Sequence, residues 1–471
     1  MFKTIVSLIL IGFFWSLSIT NIITEPVYAQ DESASPSVNT QISTSQNSNQ
    51  HYLSQQLRQF VKGAAPSGKG IEYFMLPDGK DLSQIPADPK NPLTPEKVHL
   101  GKLLFHETAL SINTLSPKHW QTSSCASCHF AQAGFGANLA QGLGAGGLGF
   151  NELRHRDPTV PPTVLDKLDI LVPSVLNAAY QDIQPWNGRA GVTGPNGKDQ
   201  NIKGFDMNRF GFLGIEAQSI EGLNVHRMAT AAIATIPEYQ DLFAAAFPDR
   251  PYVKAEVEDN VRAGMATSAY IRTLIANQAP FQQWLRGDEN ALSPQELRGG
   301  ITFFKSTCVQ CHTGPSLAAN NFYAMGFADH PRDLTGLNLG RGTVTQNPKD
   351  DFKFKVPQLY NLVDSAPYGH GASFNSIREV VQYLNRGVPQ KQEVAYAGNL
   401  SGLFKPLNLD ETQIDDLTAF IETGLRDPDL MRYVPEKLPS GLCFPNNDPE
   451  SRQQLHCDSQ ASAPGQDSTS S

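Results

Sequence analysis

The sequence predicts a mainly α-helical chain built from two copies of one helical unit joined by long loops. Three observations carry this. The pattern C-x-x-C-H occurs twice, at Cys125-Ala126-Ser127-Cys128-His129 and at Cys308-Val309-Gln310-Cys311-His312. A helix-start signal of the form Leu-(Thr/Ser)-Pro precedes each copy, at Leu93-Thr94-Pro95 and Leu292-Ser293-Pro294. From about residue 223 to 286 the apolar spacing is helical with little strand signal.

The first unit opens at Thr94, an N-cap followed by Pro at the first helical position, and leads through Gly101 to Phe105. Ser293 and Glu296 form a capping box in the second unit, and Gly300 and Phe304 fall at the same offsets from Leu292 as Gly101 and Phe105 from Leu93. The offsets mark an internal repeat. The first copy carries a 16-residue insertion that holds Ser111 to Trp120. After its motif comes a glycine-dense loop through Gly134, Gly142, Gly144 and Gly149, able to approach a ligand closely or move away from it. Ile236-Pro237 and Phe247-Pro248 mark helix boundaries. A last helix follows the Asp410/Gln413 capping box, with Ile414, Leu417, Phe420 and Ile421 on one apolar stripe.

Within a helical turn, two cysteines three apart and a histidine four from the first reach toward one face. Two thiols can add to porphyrin vinyl groups while the imidazole takes an axial position on iron, the chemistry of c-type haem attachment. A redox disulfide or half a zinc site also uses C-x-x-C, but either leaves both histidines unexplained. At this composition of 6 Cys and 11 His, chance copies number about 0.002. The expectation is therefore two covalently bound haem c groups, on Cys125, Cys128, His129 and on Cys308, Cys311, His312, in two cytochrome-c-like units.

Net charge is −9, from 37 Lys/Arg against 46 Asp/Glu, and no basic run suggests nucleic-acid binding. Residues 1–29 read as a secretory signal, with Lys3, an apolar run from Ile5 to Trp15 and a small-residue exit at Val27-Tyr28-Ala29. Export to the periplasm follows, with no membrane span after cleavage. Residues 30–51 read as a disordered spacer, 52–289 as the first haem domain, 290–437 as the second and 438–471 as a tail. In that tail Cys443 and Cys457 could close a disulfide.

Taken together, several elements resemble the bacterial di-haem cytochrome c peroxidase family, which includes the MauG enzymes. They are Leu100-Gly101-Lys102-Leu103-Leu104-Phe105, both haem motifs, Pro173-Ser174-Val175-Leu176-Asn177, Trp186-Asn187-Gly188-Arg189-Ala190, Ile236-Pro237-Glu238-Tyr239, Phe354-Lys355-Val356-Pro357 and Ala366-Pro367-Tyr368-Gly369-His370-Gly371. The resemblance implies an all-α fold of two haem domains facing each other. The first haem would meet hydrogen peroxide, and the second would receive electrons from a small cytochrome c or blue-copper protein. Trp186 would sit between them as a relay, or serve only as a packed interface aromatic.

Four departures from the family pattern bear on function. Ile170-Leu171 stand where many members have Arg-Asn, which removes an Asn that helps hold an inter-domain calcium and leaves calcium in doubt. The distal run aligns either Glu221 or His226 near the first haem as its acid–base group, with the family's use of a carboxylate favouring Glu221. His155 is the one loop histidine available as a resting ligand of the first haem. The sixth-ligand position of the second haem falls on Leu384, which cannot bind iron; Tyr383 and Met325 are the nearby alternatives. Peroxide reduction is the main reading. MauG-like oxidation of a protein side chain and a non-enzymatic di-haem electron-transfer or sensor protein are the alternatives.

Overall fold

The computed structural model describes residues 38–168, 170–249, 257–330 and 337–460. Helices dominate: α1 (Val38–Ala64), α2 (Pro95–His106), α3 (Gly214–Val225), α4 (Pro237–Ala246), α5 (Val257–Thr273), α6 (Pro280–Leu285), α7 (Pro294–Lys305), α8 (Ile377–Arg386) and α9 (Glu411–Ala419). Sheet is confined to two antiparallel pairs among the described residues. One joins β1 (Gly147–Leu148) to β2 (His155–Arg156), with Leu148 opposite His155; the other joins β3 (Phe322–Tyr323) to β4 (Phe354–Lys355), with Phe322 opposite Lys355.

The expected helix starts are present and capped. Thr94 accepts from Lys97 N, and both the Ser293/Glu296 and Asp410/Gln413 boxes are closed. Each such cap is worth about 1 kcal/mol. Phe105 and Phe304 are both buried in one shared core.

Each unit is built on a close helix crossing that only glycine permits. A Cβ on Gly101 would lie 1.9 Å from the Ala266 carbonyl oxygen, so α2 lies directly on α5. In the second unit α7 crosses α9, and there a Cβ on Gly299 would lie 2.0 Å from the Asp416 oxygen. The sequence offset pairs Gly101 with Gly300, but contact pairs it with Gly299. Gly300 instead makes room for Leu57 of α1, at 3.1 Å.

The segment expected to be a disordered spacer over 30–51 is helical from Val38. Its polar residues extend a helix whose apolar stripe, Leu53, Leu57 and Val61, is buried, and docking of that stripe outweighs weak local propensity. Gln50 adds a bond from its side-chain nitrogen to the Leu292 oxygen at 2.6 Å. Residues 47–471 pack as one unit. Two segments from before residue 290, α1 and α6, complete the core of the second repeat: Phe281 meets Phe420 edge-on at 5.4 Å, and Trp284 donates to Ser54 Oγ at 3.0 Å.

Cys443 and Cys457 are disulfide-bonded. The stapled tail reaches back to the first repeat, where the Pro445 oxygen accepts from Ser124, just before the first motif, and from Ser127 inside it. The expected signal segment 1–29 lies outside the described residues. No described helix is long and apolar enough to cross a membrane.

Candidate haem sites

Both motif histidines are prepared in the same way. His129 Nδ1 faces the Phe135 carbonyl at 3.3 Å and His312 Nδ1 faces the Leu317 carbonyl at 3.0 Å. A carbonyl only accepts, so Nδ1 carries the proton and Nε2 is the free lone pair a metal needs. Burial pushes His129 down to about 4, with the nearby charge of His226 adding to the effect, and it lowers His312 too; both stay neutral. The four motif cysteines are unpaired thiols, and burial raises Cys125 to about 11 and Cys128 to about 12.

The surroundings of the two motifs differ. Around the second lies a cavity of ≈ 270 Å³ with mostly apolar walls, including Cys308, Cys311, His312, Phe327, Tyr368 and Leu384. Two of its polar groups are donors short of acceptors. Burial lowers Lys355 to about 7, its ammonium meeting only Gln181 Oε1 at 2.5 Å, and the side-chain nitrogen of Gln184 is buried without a partner. His370, on the same wall, stacks on Phe354 at 3.7 Å and reaches Asp329 Oδ1 at 3.0 Å.

The first motif is instead wrapped by backbone. A Cβ on Gly142 would come within 2.5 Å of Val172 Cγ2 and 3.1 Å of Cys128 Sγ, so the glycine loop presses on the attachment site itself. Arg154, fully buried, holds that loop by donating to the carbonyls of Leu143, Gly144 and Gly149 while pairing with Asp448 of the tail. A loop read from sequence as free to move is thus fastened at three carbonyls.

Of the expected distal candidates, His226 and not Glu221 makes a side-chain hydrogen bond among the described residues. His226 caps the C-terminus of α3 and lies 2.7 Å from Asp166 Oδ2, near enough to His129 for their charges to interact. Glu221, half-buried one turn earlier, forms no hydrogen bond or ion pair among the described residues. Helix α3 is held in place by a buried bidentate pair, Glu216 with Arg272 at 2.6 and 2.8 Å, and by Leu213 N donating to Asp88. Breaking such a buried pair costs about 3–5 kcal/mol. After His226 the chain turns at Arg227, φ 55°, a left-handed conformation that costs a bulky residue about 1–2 kcal/mol.

The other sequence candidates separate clearly. Trp186 lines the second cavity, and its indole N–H donates to the Leu171 oxygen at 2.8 Å; the next residue, Val172, packs with Cys128. It therefore lies on a short path between the two motifs. Met325 and Leu384 both line the second cavity. Tyr383 does not: its hydroxyl donates to the Met325 oxygen and its ring sits among Phe327, Phe374 and Phe404. His155 is exposed on β2, 3.8 Å from Glu450. Sequence reasoning missed Asp166, which belongs to no motif and is defined only by tertiary contact. It also passed over Lys355, although a lysine between Phe354 and Val356 on a short strand was a visible signal.

Residues 95–290 match the family model described as di-haem cytochrome c peroxidase. The chain is similar to members of the di-haem cytochrome c peroxidase and MauG family. It is 28% identical over 347 residues to the methylamine utilization protein MauG of Methylorubrum extorquens, covering 73% of this chain and 82% of that one. To the cytochrome c551 peroxidase of Nitrosomonas europaea it is 29% identical over 307 residues, 64% and 77% of the two chains. Among solved structures, a MauG-like protein associated with microbial copper homeostasis superposes with TM-score 0.53 at 23% identity, over 76% of this chain and 96% of that one, and shares the all-α fold. The family implies haem c, and the residues present fit it. Each motif offers two thiols and an imidazole, and the second cavity offers mostly apolar walls with Lys355 and the unpartnered Gln184 nitrogen, donors that would suit a group carrying carboxylates.

Proposed function

We propose that this protein is a di-haem c-type peroxidase. It reduces hydrogen peroxide to water after export to the periplasm, with electrons delivered by a small cytochrome c or blue-copper protein. The observation that carries the reading is His226, a protonable side chain about one-third exposed, beside His129 and hydrogen-bonded to Asp166. The second motif, by contrast, opens on a cavity with mostly apolar walls, suited to storing an electron.

Two haems, held through Cys125, Cys128 and His129 and through Cys308, Cys311 and His312, would supply two electrons; peroxide reduction also takes two protons and releases two waters. The chain's part is to move protons and hold geometry. His226 takes the proton from the near oxygen of peroxide and returns it to the departing oxygen, so that water and not hydroxide leaves. Trp186 couples the two sites, and Leu384 leaves the second without a ligand at the usual position. The similarity to MauG makes oxidation of a partner protein's side chain the competing outcome of the same assay.

The test is steady-state peroxide consumption by the full di-haem chain with a reduced small cytochrome. His226→Ala should slow it by about 10²–10⁴-fold, the usual share of general acid–base catalysis, while Glu221→Gln changes it less than about twofold. A wild-type protein carrying both haems that oxidises no donor would sink the reading.

A further inference from the structure

Asp166 sits in the segment that returns along the glycine loop, where its backbone makes two hydrogen bonds to that loop. Gly144 N donates to the Asp166 oxygen at 2.7 Å, and Asp166 N donates to the Ala145 oxygen at 2.9 Å. The carboxylate is therefore free for another role, and its hydrogen bond among the described residues is the one with His226 Nδ1 at 2.7 Å. Little water reaches it: the carboxylate side chain is 13% exposed against 33% for the imidazole. A Cβ at position 144 would meet Asp166 Oδ2 at 2.5 Å, so glycine leaves the space the carboxylate occupies. Arg154, donating to the Gly144 oxygen at 2.7 Å, fixes the same turn from the other side.

We propose that Asp166 is the positioning residue of the first site, accepting the Nδ1–H of His226 so that Nε2 carries the lone pair and faces incoming acids. This deepens the peroxidase reading and rests on it for the identity of the substrate. A carboxylate behind an imidazole fixes one tautomer and one ring orientation, and it stabilises the imidazolium formed when Nε2 takes a proton. With peroxide, the proton passes from the near oxygen to Nε2 and then to the departing oxygen, while the haems provide the electrons. With hydrogen cyanide the balance is simpler. The H–C bond breaks, the proton goes to Nε2, the cyanide carbon binds the first haem and nothing is oxidised.

Cyanide thus reads the dyad without turnover. The experiment measures the cyanide association rate and peroxide consumption of the oxidised full chain carrying both haems, in wild type, His226→Ala, Asp166→Ala, Asp166→Asn, Asp166→Glu and the Asp166→Ala/His226→Ala pair. If Asp166 acts through His226, association falls about 10²-fold in His226→Ala and about tenfold in Asp166→Asn, and Asp166→Glu recovers most of it. The double variant should then be no slower than His226→Ala alone, since residues acting as one unit are not additive. Asp166→Asn keeps the side-chain shape, so it decides the matter if Asp166→Ala loses haem. Wild-type association in Asp166→Asn, or a double variant whose loss is the product of the single losses, overturns the proposal. Should the cyanide pattern hold in a wild type that consumes no peroxide, the peroxidase reading fails and the assignment of Asp166 stands.

Discussion

The two repeats present the same five-residue motif in opposite settings. In the second, His312 looks into an apolar cavity whose wall carries Leu384 where a ligand would be expected. In the first, His129 lies under a glycine loop, near a histidine–aspartate pair whose imidazole is part-exposed and whose carboxylate is nearly covered, and the whole is strapped by a tail that the second repeat lacks. Duplication accounts for what the repeats share, the capped helix, the glycine crossing and the motif. Their difference arises in the insertion before the first motif and, above all, in the segments after it.

The largest effect should come from removing one attachment at a time. Cys125→Ser/Cys128→Ser and Cys308→Ser/Cys311→Ser should each lower the intact mass by one haem. The first pair should abolish the reaction with peroxide. The second should leave that reaction but stop continuous turnover with a donor. Equal damage from both pairs would erase the functional contrast between the sites.

Next in size is the strap. Cys443 and Cys457 are 14 residues apart, and closing a loop of that length stabilises by about 3 kcal/mol. The tail grips the first repeat at Thr108, Ser124, Ser127 and Gly149. Cys443→Ser/Cys457→Ser should therefore expose the glycine loop to hydrogen exchange while α7 and α9 keep their protection. Uniform loss across both repeats would show that the tail has no local role.

Much of this asymmetry was not legible in the sequence. Helix caps, the glycine crossings and the paired motifs follow local rules, so Thr94, Ser293 and Asp410 announced their helices, and the crossing glycines were displaced by only one residue. The site around His129 follows no local rule. Asp166 lies 60 residues from His226 and carries no motif, and the loop between them is fixed by Arg154, whose partners are carbonyls any sequence could supply. Helix α1 was misjudged for a related reason: its polar start has weak propensity, and the surface that stabilises it, formed by α7 and Phe420, lies more than 200 residues away.

A smaller effect is expected at the boundary between the repeats. Trp186→Phe should slow turnover roughly tenfold, a barrier change of about 1.4 kcal/mol, with both haem spectra unchanged. Unaltered turnover would return Trp186 to packing, with its bond to the Leu171 oxygen as its only polar duty.

The finest test concerns charge at the second site. Lys355 is buried in the cavity wall and lowered by desolvation to about 7, so it changes charge near neutral pH. Below that pH the site gains a positive charge, which stabilises the reduced, more electron-rich haem and raises its potential; above it the charge is gone and the potential is lower. The potential of the second haem should therefore fall as pH rises through about 7, by at most 59 mV per unit for one electron coupled to one proton. The first haem has no such lysine among its described neighbours, and its potential should not follow the same curve. Lys355→Met keeps the aliphatic length and removes the proton, so it should flatten the slope at the second haem alone. Spectroelectrochemical titration between pH 5.5 and 8.5, roughly 1.5 units either side of the transition, resolves the two haems separately. A slope that survives in Lys355→Met would assign the coupled proton to the other titratable groups on that wall, His370, which stacks on Phe354, and the Asp329–Lys391 pair it meets.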